Sequence, residues 1–132
     1  MLIQCTKKVL DELKIKPSIV EEEDPLFSFH ANVITINRRK VLVLMNDKNR
    51  YVIVLYGMKA KDWKRIDKLI IEAVRESFKI EFIKEEVMEQ YIQTASTISF
   101  TKTKNRSFVA QLNKACDHVY FYERDLEPDK LI

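Results

Sequence analysis

Glycine is almost absent from the chain of 132 residues: Gly57 stands alone. Dinucleotide fingerprints, phosphate-binding P-loops and nucleophile elbows each need more than one glycine, so all three are excluded. Cysteine is scarce too, with only Cys5 and Cys116, far apart in the chain. The opening Met1-Leu2-Ile3-Gln4-Cys5 reaches polar residues too early for a secretory signal. The two thiols are therefore expected to be reduced, each a small core residue of a cytoplasmic protein. Long hydrophobic runs are missing. Val41–Met45 and Tyr51–Tyr56 are the longest apolar stretches, far short of the roughly 20 residues that cross a bilayer. Neither charge sign dominates: 23 Lys and Arg face 20 Asp and Glu, a net charge of +3. With two histidines and no ligand spacing, no metal or cofactor is expected; Cys116 and His118 stand two apart on a helix and point in different directions.

What is present is 46% apolar and 33% charged. That composition suits one folded domain over residues 1–132, with a polar tail at about 123–132. Leu2–Gln4 reads as a short strand, and Thr6 as the cap of a helix over Lys7–Leu13 that ends before Pro17. Glu21 to Pro25 reads as an acidic loop. In Phe27–Ile36, Phe27, Phe29, Ala31 and Val33 alternate with Ser28, His30 and Asn32, the period of a strand. Asn37-Arg38-Arg39 is a tight turn, with Asn37 suited to positive φ. Val41–Met45 and Tyr51–Tyr56 are apolar throughout, the pattern of strands covered on both faces, and short polar links join the three into an antiparallel meander.

Gly57 is expected to end that sheet segment. Trp63, Ile66, Leu69, Ile70, Val74 and Phe78 then recur at helical spacing, as do Ile83, Val87 and Tyr91. Thr97–Thr101 reads as a returning strand, and Ser107–Tyr122 as a helix with Val109, Leu112, Cys116 and Val119 on one stripe. The sum is an α+β domain: a mostly antiparallel sheet with a central three-stranded meander, packed by about four helices. Tyr51, Tyr56 and Trp63 belong with core packing, whereas Tyr120-Phe121-Tyr122 places rings around a helix end.

Cationic residues cluster without acids. Between Thr97 and Gln111 there are Lys102, Lys104 and Arg106 and no carboxylate; Arg38-Arg39-Lys40 and Lys7-Lys8 are two further clusters. The stretch Lys102, Thr103, Asn105, Arg106, Ser107 sits just before a helix, where free N–H groups and the dipole favour an anion. Thr103, Asn105 or Ser107 can cap that helix, and Arg106 can hold a phosphate through two bonds. Thr6 and Lys7 repeat the arrangement at the first helix, and Asn32, Arg38 and Arg39 complete the corner if the turns converge. The plainer alternative is a capped helix with solvated cations. A Cys5–His30–Asn32 thiol mechanism is the weaker option, because nothing in the spacing lowers a thiol pKa.

Three blocks carry a resemblance: Cys5-Thr6-Lys7-Lys8; Phe29-His30-Ala31-Asn32 through Arg38-Arg39-Lys40 to Asn46; and Thr101-Lys102-Thr103-Lys104-Asn105-Arg106-Ser107 on to Leu112-Asn113. In this order they resemble an uncharacterised bacterial family known as a domain of unknown function. Its members stand alone or are fused to plasmid- and transposon-passenger-type domains. Phe29 replaces the Trp that relatives often carry before the His-Ala-Asn positions. The resemblance implies no activity. The residues themselves leave three functions open, in this order: a non-catalytic binding module for a phosphate-bearing ligand such as nucleic acid; a protein-interaction domain pairing with a second copy or a fused partner; and a metal-independent phosphoryl-transfer enzyme such as a ribonuclease. No membrane partner is expected.

Overall fold

The computed structural model describes residues 1–20, 23–95 and 97–125. In chain order the elements are β1 (Leu2–Cys5), α1 (Lys7–Leu13), a 3₁₀ turn (Pro25–Phe27), β2 (Ser28–Ile36), β3 (Arg39–Asn46), β4 (Val52–Met58), α2 (Ala60–Trp63), α3 (Ile66–Ile80), α4 (Glu85–Thr94), β5 (Ser99–Lys102) and α5 (Arg106–Asp125). They form a single α+β domain around a five-stranded open sheet in the order β4-β3-β2-β1-β5. The antiparallel meander β2-β3-β4 is as expected. Positive φ at Asn37 and Arg38 closes its first turn. Beyond the expectation, β1 is inserted between β2 and β5 and runs parallel to both.

The sheet is covered on both faces, and each face has its own core. On one side Ile3, Cys5, Phe29, Leu42 and Leu44 meet Val9 of α1, Trp63 of α2, Ile66, Ile70 and Val74 of α3, and Met88 and Ile92 of α4. On the other, Ile36, Val41, Val43 and Met45 meet Leu112 and Cys116 of α5. β3 alternates its side chains between the two cores, so Val41–Met45 are all buried as the apolar run implied.

Four expectations need correction. β4 is not buried throughout: Ile53 is, but Tyr56 is 54% exposed. β4 is the sheet's edge, and α5 contacts β2 and β3. Gly57 does not end the strand. It lies inside β4 at φ 63, beside a register shift opposite Lys40 and Leu42, so β4 bulges and continues to Met58. Trp63 and Phe78 do not share one helix. Asp62 accepts from the Lys59 backbone N–H at 2.9 Å and starts the short α2, and α3 begins separately at Ile66. Finally, the buried stripe of α4 is Met88 and Ile92, not Ile83 and Val87. Ile83 lies before that helix, where its N–H bonds back to the Phe78 carbonyl at 2.9 Å. The expected polar tail from 126 onward and two residues of the acidic loop, 21 and 22, lie outside the described residues.

Candidate functional site

The two neighbouring parallel strands β1 and β5 send their chains to opposite faces of the sheet. β1 leads into α1, whose Val9 joins the larger core, and β5 leads into α5, whose Leu112 joins the smaller one. In open sheets with parallel strands, such a divergence leaves a crevice beyond the carboxyl ends of the strands, where ligands characteristically bind. Parts of all three sequence blocks meet there: Cys5 and Thr6, Ala31 and Asn32, and Thr103 and Asn113. The Thr6 hydroxyl donates to Asn32 Oδ1 at 2.9 Å, and Asn32 Nδ2 donates to Asn113 Oδ1 at 3.2 Å. The Thr103 N–H donates to the Cys5 carbonyl at 3.2 Å, and the Thr6 N–H to the Ala31 carbonyl at 3.1 Å. Thr6 stands at the N-cap of α1 but spends its hydroxyl on Asn32 rather than on the helix.

Cations surround this junction. Lys7 and Lys8 open α1, Lys102 ends β5, Lys104 lies in the link, and Arg106 opens α5; all five are exposed. Among the described residues none of them takes part in an ion pair. The start of α5 is capped from within. Asn105 Oδ1 accepts the Ser107 N–H at 2.9 Å and the Phe108 N–H at 3.2 Å. Of the three capping candidates it is therefore Asn105 that serves, and neither Thr103 nor Ser107.

A groove of about 860 Å³ adjoins the junction, running from Leu2 and Ser28 to Lys102, Lys104 and Asn105, with Phe108 on one wall. Two carboxylates also line it, and both are engaged. Glu23 lies 3.2 Å from the amino terminus. Asp47 accepts from His30 Nδ1 at 2.7 Å and from Gln4 Nε2 at 2.8 Å. Its backbone carbonyl also accepts from the Arg50 guanidinium. Lys102 and Lys104 thus line the groove without an ion-pair partner among the described residues, beside the Asp47 carboxylate, which is held by hydrogen bonds.

Arg38 and Arg39 do not reach this corner. They occupy the β2–β3 turn, and Asn32 is separated from the end of β2 at Ile36 by four residues, about 13 Å of strand. Their neighbour Lys40 pairs instead with Glu12 of α1 at 3.2 Å. The Cys5–His30–Asn32 constellation is likewise dispersed. Cys5 is buried in the larger core, whereas His30 and Asn32 point to the α5 face, as strand alternation requires. Burial pushes the Cys5 thiol up to about 12 and the Cys116 thiol to about 11, the reverse of activation.

Sequence reasoning missed Asp47. It sits in a polar turn with no motif around it, and the β1–β2 and β2–β3 registers together bring it to Gln4 and His30. His30 is 1% exposed, stacks on Phe108 at 5.0 Å, and leaves Nε2 without a partner. The Arg50 guanidinium also lies over the Phe108 ring, 4.2 Å from its centre. Among the described residues no three His, Cys, Asp or Glu side chains are placed to hold a metal ion, and no helix is long and apolar enough to cross a membrane.

The family described as Domain of unknown function (DUF6933) matches residues 2–132, and the chain belongs to it. No curated protein and no solved structure matches the chain.

Proposed function

We propose that this member of the family is a non-catalytic binding module for a phosphate-bearing ligand, with nucleic acid as the ligand class. The observation that carries the reading is the placement of five cations, Lys7, Lys8, Lys102, Lys104 and Arg106, none in an ion pair among the described residues, around the divergence of β1 and β5. Asn105 already satisfies the first turn of α5, so helix capping does not account for Lys104 and Arg106. Cations at a helix amino terminus cost a few tenths to about 1 kcal/mol each. A bound phosphate offsets that cost, and the exposed Arg106 has the planar fork that grips two phosphate oxygens. The ring of cations is open rather than enclosed, which suits a ligand presenting repeated phosphates.

The free, buried and unactivated thiols support a reducing compartment, the cytoplasm, as the site of action. Bacterial origin and a mobile-element setting belong to this reading through the resemblance of the three sequence blocks. Inorganic phosphate tests the site. At matched ionic strength it is expected to raise the unfolding midpoint of the wild type more than that of the Lys102→Ala/Arg106→Ala variant. Lys68→Ala, an exposed position on α3, should respond like the wild type. The control is needed because phosphate stabilises proteins generally by exclusion from their surface. Equal responses in all three proteins would remove the reading.

A further inference from the structure

A second surface lies on the other side of the sheet, where α3 ends and α4 begins. α3 closes in a Schellman turn. The Ile83 N–H bonds to the Phe78 carbonyl at 2.9 Å, and the Phe82 N–H to the Lys79 carbonyl at 3.1 Å. This motif places the residue after the C-cap in the left-handed region, which favours glycine. Here that residue is Phe82, at φ 57 and 93% exposed. Local folding explains neither choice: the backbone prefers no side chain there, and the ring packs against almost nothing. Ile80, Ile83 and Val87 are exposed around it, at 68%, 40% and 52%. Ile83 also lines a pocket of about 260 Å³ with walls of Ile53, Val74, Phe78 and Tyr91 and Glu81 at its edge.

Charge around this corner is acidic. Over residues 81–89, Glu89 is engaged by Arg75, while Glu81, Glu85 and Glu86 have no basic partner among the described residues. Only Lys84 opposes them within the segment. Glu81 accepts from the Tyr51 hydroxyl at 3.2 Å, which fixes its carboxylate beside the pocket.

We infer that this corner docks a basic amphipathic segment of a protein partner. Its aromatic or branched anchor enters the pocket beside Ile83, its apolar face covers Phe82 and Val87, and its Lys or Arg residues meet Glu81, Glu85 and Glu86. An exposed apolar cluster with an acidic rim selects that chemistry: the apolar anchor supplies affinity, and the rim excludes acidic competitors. The inference is independent of the phosphate site, which lies at the divergence of β1 and β5.

The probe is a short amidated peptide of Leu, Trp and Lys with apolar residues at helical spacing, compared with its counterpart carrying Glu for Lys. Binding to the full chain is followed by fluorescence anisotropy. The Lys peptide is expected to bind at least about tenfold more tightly than the Glu peptide. Phe82→Gly should weaken it by about tenfold or more while leaving the unfolding midpoint unchanged or raised, since glycine relieves the left-handed backbone. Glu85→Gln/Glu86→Gln should narrow the difference between the two peptides. Equal binding of the peptides, no binding by either, or undiminished binding to Phe82→Gly would overturn the inference. So would a lowered midpoint in Phe82→Gly, because it would assign the ring to packing.

Discussion

Leu112→Ala tests whether the two cores melt as one. Leu112 is fully buried, and among the described residues α5 is the helix that covers the smaller core. Removing a buried leucine to its Cβ costs roughly 2.7–5 kcal/mol, with the cavity deciding the place in that range. Here β3 cannot relax toward the space, because Leu42 and Leu44 anchor it in the larger core on its other face. The cost should therefore fall in the upper half, a large share of a total stability of roughly 5–15 kcal/mol. The expected fall in midpoint is on the order of 10–20 °C. Urea unfolding followed in parallel by Trp63 fluorescence and by far-ultraviolet circular dichroism separates the alternatives. Trp63 lies in the other core, so it reports the loss at Leu112 only if the sheet transmits it. Coincident transitions with a shifted midpoint are expected. A cost below about 1 kcal/mol, or a Trp63 transition that stays in place while the helical signal melts earlier, would refute the reasoning.

Two further outcomes follow from the same structure. Burial holds the thiols near 12 at Cys5 and near 11 at Cys116, above their ordinary value of 9.0, so folding favours the protonated form. Their contribution is fully present below pH 9 and is lost as pH rises through the folded values. Chemical denaturation should show stability declining from about pH 9 upward, and Cys5→Ala/Cys116→Ala should flatten that limb. Asn105→Ala removes both cap bonds of α5 and should lower stability by roughly 0.5–2 kcal/mol, measured by urea titration; no change would mean that solvent caps the helix equally well.

Much of the fold was legible because it is written locally. Strand alternation in Phe27–Ile36, the Asn37 turn and the continuous run at Val41–Met45 each specify their own element. The parallel placement of β1 between β2 and β5 was not legible, because Leu2 pairs with Ser28 and Ser99, partners that no local pattern names. The α4 stripe was misread for a related reason. Ile83 fits helical spacing with Val87 and Tyr91, but the Schellman turn takes Ile83 out of the helix. The edge position of β4 could not be read from an apolar run, which looks the same in a central and an edge strand.

The candidate site was half legible. Lys102 to Ser107 and Thr6-Lys7 were visible as cation-rich helix starts, and the Thr6–Asn32–Asn113 chain of hydrogen bonds joins their blocks in space. Arg38 and Arg39 carry the same charge in sequence, yet the length of β2 takes them away from the junction. Asp47 had no sequence signal at all, since its role depends on two strand registers.

The measurement that bears most directly on the phosphate-binding account is a salt titration of oligonucleotide binding. A fluorescent single-stranded oligonucleotide is titrated with the wild type, with Lys102→Ala/Lys104→Ala/Arg106→Ala, and with Lys61→Ala/Lys64→Ala/Lys68→Ala. The two variants remove equal charge, but the second set lies on α2, α3 and the link between them. The expected result is binding by the wild type whose logarithmic salt slope falls by about 2 in the first variant, near 0.7 for each phosphate that is no longer neutralised, and changes little in the second. Equal slopes and affinities in the two variants, or no binding by the wild type at low salt, would contradict the account.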